Sequence, residues 1–189
     1  SSGWEAMLSN YVARGGHVLG ICGGYQMMGT IVNDPDGLEG KPGITQGLGL
    51  LPVETVLKAP KTTTLTQFSR QGASGCGYEI HMGHTKRHDA EHFFHVHARN
   101  GSSCDDTDGC VTANRKIMGT YIHGLFENSA VTRHWLNGIG LPNIKTADLD
   151  GLQAKDKEYD LLAEYFETYI DTNSIMDLTA GNIDLSEKS

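Results

Sequence analysis

The sequence predicts an α/β domain with a mixed sheet, on three observations. A short apolar strand meets glycines around Cys22 and turns into a helix. Several strand-like segments then succeed one another as far as Ile122. An amphipathic helix follows late in the chain. With 189 residues, the chain is long enough for one ordinary domain with a sizeable core.

The elements read in order as follows. Trp4, Met7, Leu8, Tyr11 and Val12 recur at helical spacing, and Gly15 and Gly16 stop the helix. A strand ends at Ile21, and a short helix runs from Cys22 to about Met28. Residues 33–43 are rich in Asp, Pro and Gly and read as a surface loop. Residues 48–57 and 62–68 carry Thr and Val at positions suited to a pleated surface and read as strands. Residues 77–82 and 92–98 read as two more, and 100–109 as a polar loop. Ile117 to Ile122 is a strand that delivers His123 at its end, and a helix covers 128–136. Between Lys155 and Asp171, Tyr159, Leu162, Tyr165, Phe166, Tyr169 and Ile170 form one apolar stripe, read as core-facing. The expected organisation is one domain over residues 1–180 and a polar tail over 181–189.

Composition narrows the class. Hydrophobic residues at 38% and charged residues at 20% are globular proportions, which argues against disorder. The net charge of −8 gives no electrostatic reason to expect a nucleic acid or an anionic membrane as partner. No signal peptide or membrane-length apolar run is present. Cys22, Cys76, Cys104 and Cys110 form neither a CxxC pair nor a zinc-ribbon spacing. Together these point to a cytoplasmic protein with free thiols.

The chemistry begins at Cys22. In His17-Val-Leu-Gly-Ile-Cys22-Gly-Gly-Tyr-Gln26, a strand meets a glycine pair and becomes a helix. Such a nucleophile elbow lifts one side chain to the top of a sheet, and only small neighbours leave the backbone room to bend. The free N–H groups and positive dipole end of the helix favour thiolate over thiol. A buried core cysteine is the ordinary alternative, but a packed strand gains nothing from glycines at 20, 23 and 24. A cysteine nucleophile needs a base that takes its proton and later protonates the leaving amine. Gly119-Thr-Tyr-Ile-His123-Gly-Leu-Phe126 places a histidine where an apolar strand runs into a glycine turn, and α/β sheets present catalytic groups at strand ends.

Nine histidines supply rivals. His84, His88, His92, His95 and His97 crowd one stretch, yet no Cys or acidic partner completes a ligand pattern there, so no metal site is expected. His81 lies between Gly77 and Gly83, as in a segment whose backbone approaches a ligand closely, but on these residues alone a plain strand between two turns is the preferred reading.

Taken in order, five segments resemble one family: Gly20-Ile-Cys22-Gly-Gly-Tyr-Gln26, Asp34-Pro-Asp-Gly-Leu-Glu39-Gly, Gly47-Leu-Gly-Leu-Leu-Pro52, Gly77-Tyr-Glu-Ile-His81-Met-Gly83 and Gly119-Thr-Tyr-Ile-His123-Gly-Leu-Phe126. Together they resemble the C-terminal glutamine amidotransferase domain of the cobyric acid synthase family, over essentially the whole chain to about Leu178. The resemblance implies a flavodoxin-like, three-layer glutaminase domain joined to an N-terminal ATP-dependent synthetase domain. It implies glutamine as nitrogen donor for amidating the corrin carboxylates of adenosylcobyrinic acid a,c-diamide during cobalamin synthesis. By the same resemblance Cys22 is the nucleophile and His123 its general base and acid. Gln26, Tyr78, Glu79 and His81 fall in segments that line the glutamine pocket.

In the mechanism this implies, Cys22 attacks the side-chain amide carbon of glutamine while the N–H of Gly23 stabilises the oxyanion. His123 protonates the departing ammonia, and water then hydrolyses a glutamyl thioester with the same histidine as base. Two departures from the wider triad pattern are visible. Leu125 stands where many triad enzymes carry the glutamate that orients the histidine, leaving a Cys-His dyad; Glu79 is the candidate replacement acid. Only 21 residues precede Cys22, fewer than the strands expected upstream of the elbow, so the chain reads as an N-terminally truncated fragment with little activity of its own. No GxxxxGK[ST] motif occurs, so ATP and magnesium are expected on the absent synthetase domain and no cofactor on this one. The competing readings are a glutaminase subunit that amidates a peptidoglycan precursor, the a,c-diamide synthase of the same pathway, a cysteine peptidase or hydrolase on the same fold, and a non-enzymatic binding module.

Overall fold

The computed structural model describes residues 3–146 and 151–169. The chain divides into two compact units, 1–146 and 147–189. The expected tail over 181–189 and the last residues of the late helix lie outside the described residues.

The first unit opens with helix α1 (Trp4–Ala13), strand β1 (Val18–Ile21) and helix α2 (Gly23–Met28). Strands β2 (Ile31–Asp34), β3 (Gly43–Gln46) and β4 (Val53–Val56) follow. Next come β5 (Thr62–Arg70), β6 (Ala73–His81), β7 (His84–Arg87), β8 (Phe94–Arg99) and β9 (Ser102–Asp108). The unit finishes with β10 (Cys110–Val111), β11 (Ile117–Thr120), β12 (Ile122–His123) and helix α3 (Ser129–Gly138). The second unit contributes helix α4 (Gly151–Tyr169). The strands form three sheets, ordered β1-β11-β10, β3-β2-β4-β7 and β12-β6-β5-β8-β9.

The α/β class and the mixed sheet agree with expectation. β1 and β11 run parallel with Ile21 opposite Thr120, and β1 turns into α2; this strand–elbow–helix with its parallel neighbour is the flavodoxin-like element. β2 and β4 are also parallel, and the five-stranded sheet is antiparallel throughout. All four residues of β11 are buried, as expected of a strand covered on both faces. Ile117 joins a core of Tyr25, Met28, Leu51, Val53, Cys110 and Tyr121. Met118, pointing the other way, joins Phe68, Phe93, Phe94, Val96, Val111, Ile122, Leu125 and Val131. One strand thereby separates two cores.

Several boundaries move. The polar loop expected at 100–109 is the strand β9, an edge strand whose pattern is largely solvent-facing. Asn100 and Gly101, both with positive φ, make the two-residue turn that joins it to β8. Gln71 and Gly72 do the same between β5 and β6. The segment expected as a strand from 48 is extended only at Val53–Val56. Gly47 accounts for part of this, since a Cβ there would lie 2.2 Å from the Gly29 carbonyl oxygen and the chain is packed against that turn. On α1, Leu8 and Val12 are half-buried but Trp4, Met7 and Tyr11 are exposed. Along α4, Tyr159, Leu162, Tyr165, Phe166 and Tyr169, read as core-facing, are exposed as well.

Candidate active site

Cys22 carries the strain that a nucleophile elbow requires. Its backbone sits at φ 55° and ψ −116°, a conformation that costs a non-glycine residue about 1–3 kcal/mol and persists only when its surroundings impose it. They do so from both sides. Its N–H donates to the Thr120 carbonyl at 2.9 Å, extending the β1–β11 ladder, and its own carbonyl accepts the Gln26 N–H at 3.1 Å, opening α2. The tight return of α2 depends on Gly20: a Cβ there would lie 2.6 Å from Met28 Sδ and 2.8 Å from the Gly24 backbone. A Cβ on Gly23 or Gly24 would meet nothing within 4 Å, so Gly20 is the glycine that packing demands. The half-buried thiol donates to the Ile80 carbonyl at 3.4 Å. Gly23 is the first residue of α2, and its N–H belongs to the first-turn donors without an intrahelical acceptor.

His123 arrives by a change of sheet. β11 ends at Thr120, the chain bends at Tyr121, and Ile122 and His123 pair with Glu79 and Tyr78 of β6. The histidine therefore lies within a short strand, where the sequence placed it just beyond one. Its ring stacks on Tyr78 with centroids 5.1 Å apart and planes 6° from parallel. Its Nε2 is buried and has no hydrogen-bond partner among the described residues. Cys22 and His123 thus converge on the same strand, one touching the Ile80 carbonyl and the other facing Tyr78. Two residues of strand separate those points by about 7 Å. Gly77 permits the approach, since a Cβ there would lie 2.4 Å from the His123 carbonyl oxygen and 2.6 Å from Ile122 Cγ2.

The other expected pocket residues divide between the two faces of β6. Tyr78 shares a face with His123. Glu79, in register with Ile122, points the opposite way and is buried. Glu79 Oε1 accepts from Thr66 Oγ1 at 2.8 Å and Arg99 Nε at 3.2 Å, and Oε2 lies 3.3 Å from His81 Nε2. Burial raises the affinity of this carboxyl for its proton, but the bonds from His81, Thr66 and Arg99 outweigh it and hold Glu79 below the usual carboxylate range. The expectation that Glu79 orients His123 is therefore corrected: successive residues of a strand face opposite sides, and its oxygens are committed elsewhere. His81 stacks on Tyr121, with ring centroids 3.8 Å apart. Gln26 is buried, and its Nε2 donates to Tyr121 Oη at 3.1 Å and the Met82 carbonyl at 3.4 Å, bracing α2 against the end of β6.

Two groups escaped the sequence reading. Asn128 pins the segment after His123: its Oδ1 accepts the Cys76 N–H at 2.8 Å, and its Nδ2 donates to the carbonyls of Cys76 at 2.8 Å and Gly124 at 3.0 Å. Asp108, read as the end of a loop, is a buried carboxyl bonded to Thr120 and Tyr121. Their roles turn on partners distant in sequence, Cys76 for Asn128 and Thr120 and Tyr121 for Asp108. Among the described residues no three His, Cys, Asp or Glu side chains group to hold a metal ion, and no helix is long and apolar enough to cross a membrane.

A family model for the CobB/CobQ-like glutamine amidotransferase domain matches residues 1–131. The chain belongs to this family. Within it, the chain is 42% identical over 186 residues to a cobyric acid synthase of Chlorobium phaeobacteroides strain BS1, covering 93% of this chain and 36% of that protein. It is 38% identical over 192 residues to the cobyric acid synthase of Clostridium novyi, with 97% and 38% covered. Against that of Bradyrhizobium strain BTAi1 it is 42% identical over 180 residues, with 94% and 35% covered. This glutamine amidotransferase domain spans about a third of the length of these curated relatives.

Proposed function

We propose that the chain is the glutaminase part of a cobyric acid synthase, hydrolysing glutamine through a Cys22 thioester and supplying ammonia for amidation of adenosylcobyrinic acid a,c-diamide in cobalamin biosynthesis. The observation that carries this reading is the convergence of a strained elbow cysteine and a histidine on one strand, β6. The names of the relatives support the pathway.

Cys22 attacks the carboxamide carbon of glutamine, with the Gly23 N–H at the developing oxyanion. His123, whose Nε2 has no competing partner among the described residues, takes the thiol proton and passes it to the leaving nitrogen. Ammonia departs and leaves the glutamyl thioester. Water, deprotonated by the same imidazole, hydrolyses it to glutamate and restores the thiol. The ammonia must reach the acceptor site as the neutral base, because ammonium is not a nucleophile. The ATP-dependent, magnesium-requiring amidation and the corrinoid site belong in this proposal to a synthetase domain of the same polypeptide.

The test is covalent labelling with the glutamine analogue 6-diazo-5-oxonorleucine, read by peptide mass, together with ammonia release from glutamine by the intact gene product. Modification of Cys22 and loss of both signals in Cys22→Ala are expected. Labelling by a peptide-based thiol inhibitor without reaction of the diazo compound would instead identify a peptidase.

A further inference from the structure

The chain passes between the five-stranded and three-stranded sheets twice, and the two crossings are bonded to each other. It leaves β9 at Asp108 and enters β10 at Cys110; it leaves β11 at Thr120 and enters β12 at Ile122. The crossings lie so close that a Cβ on Gly109, whose φ is 74°, would fall 2.2 Å from the Gly119 carbonyl oxygen. At the second crossing the backbone is leaving one ladder for another. The Tyr121 N–H donates to both carboxyl oxygens of Asp108, at 3.3 Å each. Thr120 Oγ1 donates to Asp108 Oδ2 and accepts the Ile122 N–H at 3.0 Å. Three consecutive residues are thereby tied, directly or through one hydroxyl, to a single carboxyl group.

Those residues lie between the two reacting groups. The Thr120 carbonyl holds the Cys22 N–H at 2.9 Å, and His123 follows Ile122 directly. Resting on the glutaminase reading above, we propose that Asp108 is a positioning residue for the Cys22–His123 pair, its carboxyl fixing the strand crossing that sets nucleophile and base at their working separation. Asp108 itself is held from behind, where its carbonyl accepts the Phe93 N–H at 2.9 Å, and the next carbonyl, of Gly109, accepts from Arg87 at 2.7 Å. Its placement works against stability. Desolvation, with Glu79 nearby, pushes the carboxyl up to about 6 despite the bonds from Thr120 and Tyr121. An acid at a site that resists its charge fits the pattern in which local rules are broken where function requires it.

The test compares Asp108→Ala and Asp108→Asn in the intact gene product, measuring glutamine hydrolysis per folded molecule. Asn keeps an oxygen to accept at the crossing and Ala does not. Asp108→Ala is expected to lower kcat by about 30- to 100-fold, as ångström-scale displacement of a reacting group does, with KM within about threefold. Asp108→Asn should restore most of that loss. An Asp108→Ala protein whose kcat per folded molecule equals the wild type, or whose activity falls only in step with its unfolded fraction, overturns the positioning role while leaving the glutaminase reading intact. A wild-type protein that releases no ammonia from glutamine overturns the parent reading and this one with it.

Discussion

Tyr78 and His123 face each other across the β6–β12 pair, and their rings lie 6° from parallel with centroids 5.1 Å apart. The imidazole Nε2 is buried and has no hydrogen-bond partner among the described residues. The phenol ring stacked on it restricts its rotation. Stacked aromatic pairs contribute about 0.5–1.5 kcal/mol beyond their buried area. Tyr78→Leu should lower glutaminase kcat by roughly 2- to 10-fold, and Tyr78→Phe, which keeps the ring, should stay near wild type. Steady-state ammonia release distinguishes them; equal losses in both variants would assign the effect to the hydroxyl.

Gly77 is the point at which β6 admits β12. A methyl group there would meet the His123 carbonyl oxygen and Ile122 Cγ2 well inside contact distance, and the carbonyl cannot withdraw without moving β12. Overpacking of this kind costs about 1–3 kcal/mol. Gly77→Ala should lower the denaturant midpoint accordingly and reduce diazo-compound labelling of Cys22 in the protein that remains folded. Unchanged labelling would show that β12 can shift without cost to the site.

Glu79 predicts a pH dependence. Its pKa in the fold lies below the ordinary value of 4.5 because the bonds from His81, Thr66 and Arg99 outweigh desolvation. A group depressed in the folded state contributes stability above its unfolded pKa and loses that contribution as pH falls through the folded value. The stability difference between wild type and Glu79→Gln should thus be full above about pH 5 and shrink below 4.5. Charge-assisted bonds of this kind carry about 1.5–3 kcal/mol, which sets the expected gap at neutral pH. Urea titrations at several pH values measure it, and a gap that widens on acidification would contradict the assignment.

Asn128 satisfies both backbone groups of Cys76 and the carbonyl of Gly124. Asn128→Ala removes the partners of the Cys76 N–H and carbonyl, while the Gly124 carbonyl keeps the Glu127 N–H at 3.0 Å, and should cost about 2–3 kcal/mol. Asn128→Asp should cost more, because a carboxylate oxygen then faces the two carbonyl oxygens that had received hydrogen bonds. Thermal melts of the two variants check that order.

Much of this architecture was legible in the residues. Glycines around Cys22 announced the elbow, since only small side chains allow a helix to fold back over its strand, and Gly20 meets that requirement most sharply. The strand before His123 followed from its apolar run, and the helix expected after it forms at Ser129–Gly138. β9 did not, because an edge strand with few buried positions looks polar, and the Asn100–Gly101 turn that marks it was read as part of a loop.

The order of the residues set the chemistry on offer: a cysteine at a forced turn, a histidine at the edge of a strand, and the succession of the elements carrying them. Which groups meet depends on the folded chain. The register of β12 against β6 gave Tyr78 to His123 and turned Glu79 to the other face, because side chains alternate along a strand and a shift of one residue would exchange them. The bonds that Thr120 and Tyr121 donate to Asp108 likewise join two crossings a dozen residues apart along the chain. Such contacts depend on how the sheets pack, and no local pattern of residues encodes them.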